Sequence, residues 1–182
     1  MKTIDPGRIL NRRHVYKGKI VSVEVDQLEI LGQATIREVV RHPGGVVLMG
    51  TGKDNRIVFV RQLRYPMKEN LLELPAGKLD PGEDPKQAAA REMEEETGYR
   101  ALNLKHVLSF YPTPGFCDEI LHFFISSKLV KTTRKPDFDE QIEIEFYTLE
   151  EALKLAYLGK IKDAKTLLAV FWKALQDPRF LT

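Results

Sequence analysis

Cysteine is nearly missing from this sequence: Cys117 is the only one in 182 residues. That excludes a disulfide framework within one chain and a cysteine-rich zinc site. Net charge is scarce too, because 28 Lys and Arg stand against 26 Asp and Glu and leave a formal charge of +2. With no basic run either, nothing points to nucleic acid or an anionic membrane as a partner. No stretch approaches the roughly 18 apolar residues of a membrane helix. The opening MKTIDPGRIL lacks the apolar core, roughly 7 to 15 residues long, of a secretory signal. We therefore expect a soluble cytoplasmic protein that binds neither nucleic acid nor membrane. Repeats and low-complexity tracts are also missing. A hydrophobic content of 43% over this length suits one full core plus a small appended element rather than two independent domains.

Acidic residues, by contrast, are concentrated between Gly77 and Tyr99, in GKLDPGEDPKQAAAREMEEETGY. The local signals predict a helix inside this stretch. Asp84 suits the N-cap, Pro85 the first helical position, Gln87 the capping-box partner and Gly98 the left-handed residue that ends it. Glu92, Glu95 and Glu96 then fall at i, i+3 and i+4 on one face, with Glu94 elsewhere. Such a face works against its own helix, since like charges repel and carboxylates near a C-terminus oppose the macrodipole. A hard divalent cation would offset the repulsion, because Mg²⁺ and Mn²⁺ favour carboxylate and carbonyl oxygen. Ala89, Ala90 and Met93 are expected to pack on a sheet, with Ala88 leaving room above the acidic face.

Gly77, Glu83, then Arg91, Glu92, Met93, Glu94, Glu95, Glu96, Thr97, Gly98 and Tyr99 together resemble the signature of the Nudix hydrolases at every fixed position. The resemblance implies a loop, helix and loop that bind divalent metal and cleave a diphosphate linked to another group. Pro114 follows Gly98 by sixteen residues, and with Arg61 to Tyr65 and the LPAGKL run it is similar to the ADP-ribose pyrophosphatase branch of that family. The similarity covers the chain from about Tyr16 to Leu175. It implies an α/β/α sandwich with a mixed sheet and Mg²⁺ as cofactor, replaceable by Mn²⁺. It further implies Glu92 and Glu96 as direct ligands, Glu95 supporting a further ion, and the Ala76 carbonyl completing one shell. Glu83 and Arg91 would hold the loop to the helix. Enzymes of this branch place a catalytic base just before a late strand, and Glu140 is the matching residue, with Asp139 and Glu143 as runners-up beside Asp137.

Read in order, residues 1–14 are polar and basic and are expected to be loosely ordered. From Val15 to Val40, alternating apolar residues predict about three antiparallel strands. Too small to bury its own apolar face, this section needs a further surface. We expect residues 1–44 to form an N-terminal β section that mediates a homodimer, as similar enzymes do by swapping it, and residues 45–182 to form the hydrolase unit. Val46 to Met49 and Arg56 to Gln62 read as two buried strands of a central sheet around the turn at Gly52 to Asn55. Leu102 to Tyr111, Ile120 to Ser126 and Ile142 to Tyr147 add further strands. Thr148 with Glu151 forms a capping box for a helix closed by Gly159, and Asp163 caps a last helix stopped by Pro178.

Outside the acidic motif, Arg64 is a candidate for holding the substrate diphosphate, its planar fork being suited to phosphate oxygens. Arg37 and Arg41 are further candidates of that kind. Pro114, Gly115 and Phe116 form a rigid loop whose aromatic ring could stack on adenine, although Tyr residues remain open for that role. Cys117 and the four histidines, His14, His42, His106 and His122, show no ligand spacing. The expected activity is hydrolysis of a small nucleotide, ADP-ribose, to AMP and ribose 5-phosphate. Another nucleoside diphosphate sugar or a dinucleotide is the rival substrate, and a non-catalytic ADP-ribose sensor the rival outside enzymes.

Overall fold

Alternating polar and apolar residues near the start of the chain form strands, as periodicity predicts. The computed structural model describes residues 6–134 and 141–180. Its first sheet is antiparallel in the order β1 (Arg8–Lys17), β2 (Ser22–Ile30) and β3 (Gln33–Arg41). Leu31 and Gly32, both at positive φ, make the two-residue turn between β2 and β3. The loose order expected up to residue 14 is overturned from Arg8 onward, because β1 pairs through charge where it lacks apolar alternation. Arg12 donates to both oxygens of Asp26 at 2.7 Å, and Arg8 reaches Glu29 at 3.5 Å.

Chain contacts divide the protein into two units, and the first joins residues 1–44 to Tyr111–Ile120. Backbone bonds explain the pairing, since Val40 donates to Phe116 O at 2.8 Å and Asp118 donates back to Val40 O at 3.1 Å. The proline loop therefore belongs with the N-terminal sheet, where the boundary expected from sequence gave it to the hydrolase unit.

The second unit comprises Gly45–Phe110 and Leu121–Thr182. Its strands are β4 (Gly45–Gly50), β5 (Ile57–Arg64), β6 (Glu69–Glu73), β7 (Ala76–Lys78), β8 (Tyr99–Leu102), β9 (Lys105–Phe110), β10 (Leu121–Ser126), β11 (Lys128–Lys131) and β12 (Ile142–Tyr147). Its helices are α1 (Pro85–Thr97), α2 (Leu149–Tyr157) and α3 (Ala164–Ala174). One sheet is mixed, ordered β7-β4-β10-β9 with β4 and β10 parallel, while β12-β5-β6 is antiparallel and β11 pairs with β8.

The expectation that β4 and β5 share one central sheet is corrected: they lie in different sheets, joined by the single bridge Thr51↔Ile57. Each strand is apolar on both faces, so each is covered twice. Val47, Met49, Ile57 and Phe59 join Leu149, Ala152, Ala169 and Val170 in one core, on the side of α2 and α3. Val46, Leu48 and Val58 join Ala88, Ala89 and Met93 in the other, on the side of α1. This places helices on both sides of the strands, the sandwich architecture implied above. Ala88 is another correction, since it lies in the α1 core rather than above the acidic face. The strand expected from Leu102 to Tyr111 is interrupted by Asn103 at φ 56°.

Candidate active site

Local capping fixes the acidic helix. Asp84 accepts from the backbone N–H groups of Lys86 and Gln87 at 3.0 and 3.1 Å, and Gly98 at φ 70° donates to Glu94 O at 2.9 Å. Arg134 then donates to Glu96 O at 2.7 Å, placing a cation on the negative end of the helix.

The acidic face of α1 meets β7. Glu96, only 2% exposed, accepts from the Ala76 N–H at 3.2 Å. At Gly77 a Cβ would lie 2.0 Å from Glu92 Cδ, so only glycine leaves room for that carboxylate against the strand. Arg91 ties the pieces together. It donates to both oxygens of Glu83 at 2.9 Å, to Glu92 Oε1 at 2.8 Å and to Glu95 Oε2 at 3.0 Å. Its hydrogen bonds hold the Glu83 carboxyl below the usual carboxylate range against a smaller upward push from burial.

The structure thus qualifies the expectation that a cation alone relieves the acidic face. Arg91 neutralises part of it, and Arg100 donates twice to Glu94 at 3.0 Å. Among the described residues, no three His, Cys, Asp or Glu side chains stand grouped as a metal site. The donor chemistry nevertheless fits Mg²⁺. Glu92, Glu95 and Glu96 offer only hard oxygen, and the glycine at position 77 lets the Glu92 carboxylate lie against β7 beside the Ala76 backbone.

Arg64 is engaged by Glu73, which accepts from its Nε and Nη2 at 2.7 Å each. Lys165 on α3 donates to the same carboxylate, and also to Asp163 at 2.9 Å. Burial pushes Glu73 up, but Arg64 and Lys165 outweigh it and hold the carboxyl below its ordinary value. The Glu73 bond, followed more weakly by the charge of Glu96, raises Arg64 against its burial. Thr166 bridges this network to the strand by accepting from Leu74 N at 2.8 Å and donating to Asp163 at 2.6 Å. Sequence reading missed Glu73, Lys165 and Thr166. The one available signal was a carboxylate inside the apolar run Leu71 to Leu74.

Glu140, with Asp137 and Asp139, lies outside the described residues. Glu143 is exposed on β12, opposite Arg61 on β5. In the first unit, Arg41 donates to Glu24 at 2.8 Å and to Asp118 at 3.0 Å, so it is held beside the proline loop. Arg37 instead turns to its own strand, donating to Thr35 Oγ1 at 3.1 Å and Ile36 O at 2.9 Å. Pro114 and Gly115 precede Phe116, whose ring is 57% exposed, as is Tyr111 at 60%.

A NUDIX domain model matches residues 40–169. Over 180 residues the chain is 38% identical to the ADP-ribose pyrophosphatase of Bacillus subtilis (strain 168), with 97% of each protein covered. Over 173 residues it is 39% identical to the methanol dehydrogenase activator of Bacillus methanolicus, covering 93% of this chain and 94% of that one. A solved structure described as an ADP compounds hydrolase superposes with a TM-score of 0.82 at 22% identity, covering 94% of both chains, and so shares the fold. A domain match spanning most of the chain, joined to full-length similarity above 30%, settles its kinship: this chain belongs to the Nudix hydrolase family.

Proposed function

We propose that this chain hydrolyses the diphosphate of ADP-ribose, giving AMP and ribose 5-phosphate, with Mg²⁺ as resident ion and Mn²⁺ able to substitute. The observation carrying this reading is the full-length similarity to the Bacillus subtilis ADP-ribose pyrophosphatase. Glu92 and Glu96, with the Ala76 carbonyl, would hold the ion, and Glu95 a further one. Mg²⁺ bound there supplies charge neutralisation and polarisation of the phosphorus.

The chain's own groups do the rest. Arg91 keeps Glu83, Glu92 and Glu95 in one constellation. Arg64 has its Nε and Nη2 fork committed to Glu73, so it would offer the diphosphate its remaining Nη1 donors and its charge rather than the bidentate fork. Arg41 and Arg37, with Pro114, Gly115 and Phe116, are assigned to the nucleotide, the exposed Phe116 ring offering a stacking face for adenine. Glu140 takes the proton of the attacking water as the new bond to phosphorus forms; a metal-bound carboxylate, its lone pairs committed, is a poorer base.

A homodimer belongs to the same proposal. Ile9, Leu10, Val15, Tyr16, Ile20 and Ile36 are all exposed in the first unit, more apolar surface than a three-stranded ribbon ordinarily leaves to water. A second copy of this chain is the partner that would cover it.

A rival substrate is favoured by relatives such as the GDP-mannose pyrophosphatase of Yersinia enterocolitica serotype O:8 / biotype 1B (strain NCTC 13174 / 8081), which is 33% identical over 143 residues. Phosphate-coupled turnover of ADP-ribose, GDP-mannose, other nucleotide sugars and dinucleotides, each with Mg²⁺ and with Mn²⁺, tests the reading. ADP-ribose should give the highest kcat/KM. A higher value for GDP-mannose would transfer the assignment to that substrate, and no turnover of any diphosphate would leave the sensor reading.

A further inference from the structure

We propose that His106, Ser109 and His122 form a second metal site, for a borderline divalent ion of the Zn²⁺ and Cu²⁺ class, separate from the oxygen-lined Nudix motif. Register builds it. Strands β9 and β10 run antiparallel with His122 opposite Ser109, and a register shift between Phe123 and Phe124 then sets His106 opposite Phe124. Without that shift the two imidazoles would fall out of step along the ribbon.

Their nitrogens converge on one hydroxyl. His106 Nε2 lies 3.0 Å from Ser109 Oγ, and His122 Nδ1 lies 2.8 Å from the same atom. The ring centroids are 6.1 Å apart, and the His106 ring is braced edge-on against Phe124 at 5.2 Å. A hydroxyl donates once and accepts twice, so with one ring nitrogen protonated Ser109 can accept from one imidazole and donate to the other. An ion taking both nitrogens and the hydroxyl oxygen would displace the proton between them, with water filling the remaining positions.

The other two histidines differ. His14 lies 3.2 Å from Glu24 and His42 lies 3.5 Å from Glu119, whereas among the described residues no carboxylate stands within ion-pair distance of His106 or His122. Ligand type separates the two sites, because imidazole suits Zn²⁺ and Cu²⁺ whereas carboxylate and carbonyl oxygen suit Mg²⁺ and Mn²⁺. An ion here would clip the edge strand β9 to β10, the strand that also pairs with β4.

The test uses the full chain with Mg²⁺ in excess. Substoichiometric Cu²⁺ is added and its electron paramagnetic resonance spectrum read for nitrogen coupling, which carboxylates cannot produce. Wild type should show coupling to two imidazole nitrogens. The His106→Gln/His122→Gln double variant should lose it, and a His14→Gln/His42→Gln double variant should keep it. Zn²⁺ should raise the wild-type Tm in a concentration-dependent way, as for any ligand binding only the folded state, and the His106/His122 variant should bind Zn²⁺ at least about tenfold more weakly. Circular dichroism establishes that both variants fold. Unchanged two-nitrogen coupling in the His106/His122 variant, or none in wild type, would overturn the proposal. Neither readout depends on which diphosphate the enzyme cleaves.

Discussion

Glu73 brings two cations to one buried carboxylate, and its pH dependence follows from that. Its carboxyl lies below the ordinary glutamate value of about 4.3, because Arg64 and Lys165 overcome the opposing effect of burial. The stabilisation it provides is therefore present above about pH 4.3 and is lost as pH falls through the lower folded value. Glu73→Gln should cost about 3–5 kcal/mol at pH 7, the usual effect of breaking a buried pair. Urea unfolding at pH 7 and below pH 4 should show the gap between wild type and variant shrinking in acid. A gap of equal size at both would mean that the network stabilises by shape rather than charge. Glu96→Gln is nearly isosteric and should abolish turnover in saturating Mg²⁺ while leaving the circular dichroism spectrum intact; wild-type-like turnover would sink the metal-ligand assignment. Glu140→Gln should lower kcat by about 10² or more with little change in affinity for ADP-ribose, as expected when only proton transfer is lost. If Glu143→Gln carries the loss instead, the base lies on β12.

Elements hold these residues in place through two glycines that have different work. Gly98 ends α1 in the left-handed conformation at φ 70°, and a Cβ there would also lie 3.2 Å from Arg134 Cβ. Gly98→Ala should cost about 1–2 kcal/mol, the penalty for a side chain in that region, and thermal unfolding would measure it. Gly77 is limited by proximity instead, since its missing side chain makes room for Glu92. Gly77→Ala should therefore reduce turnover far more than Tm, because Glu92 must swing away from β7. Equal turnover in Gly77→Ala and wild type would show that Glu92 need not sit where the structure has it.

At the scale of the whole molecule, the first unit leaves β1 exposed along its entire length. A two-fold homodimer at micromolar concentration is the expected state, and light scattering reads it directly. A monomeric mass accompanied by full activity would refute it. The division of the chain also moves the proline loop. Tyr111–Ile120 groups with the N-terminal sheet through Val40, Phe116 and Asp118, so candidate nucleotide residues from both ends of that unit, Arg41 and Phe116, share one unit.

What the sequence determined by itself is what depends on near neighbours along the chain. The Asp84 cap, the Gly98 stop, the Thr148 and Glu151 capping box and the three-carboxylate face all follow from offsets of a few residues and the allowed φ of glycine. Tertiary structure alone decided what depends on register and distant packing. Lys165 meets Glu73 across 92 residues, and β1 forms because its arginines find acids on β2. Likewise β4 and β5 part into different sheets, and His106 meets His122 only through a shift in strand register. A one-residue slip in any of these pairings would turn the same side chains to the opposite face, and no local pattern along the chain encodes that choice.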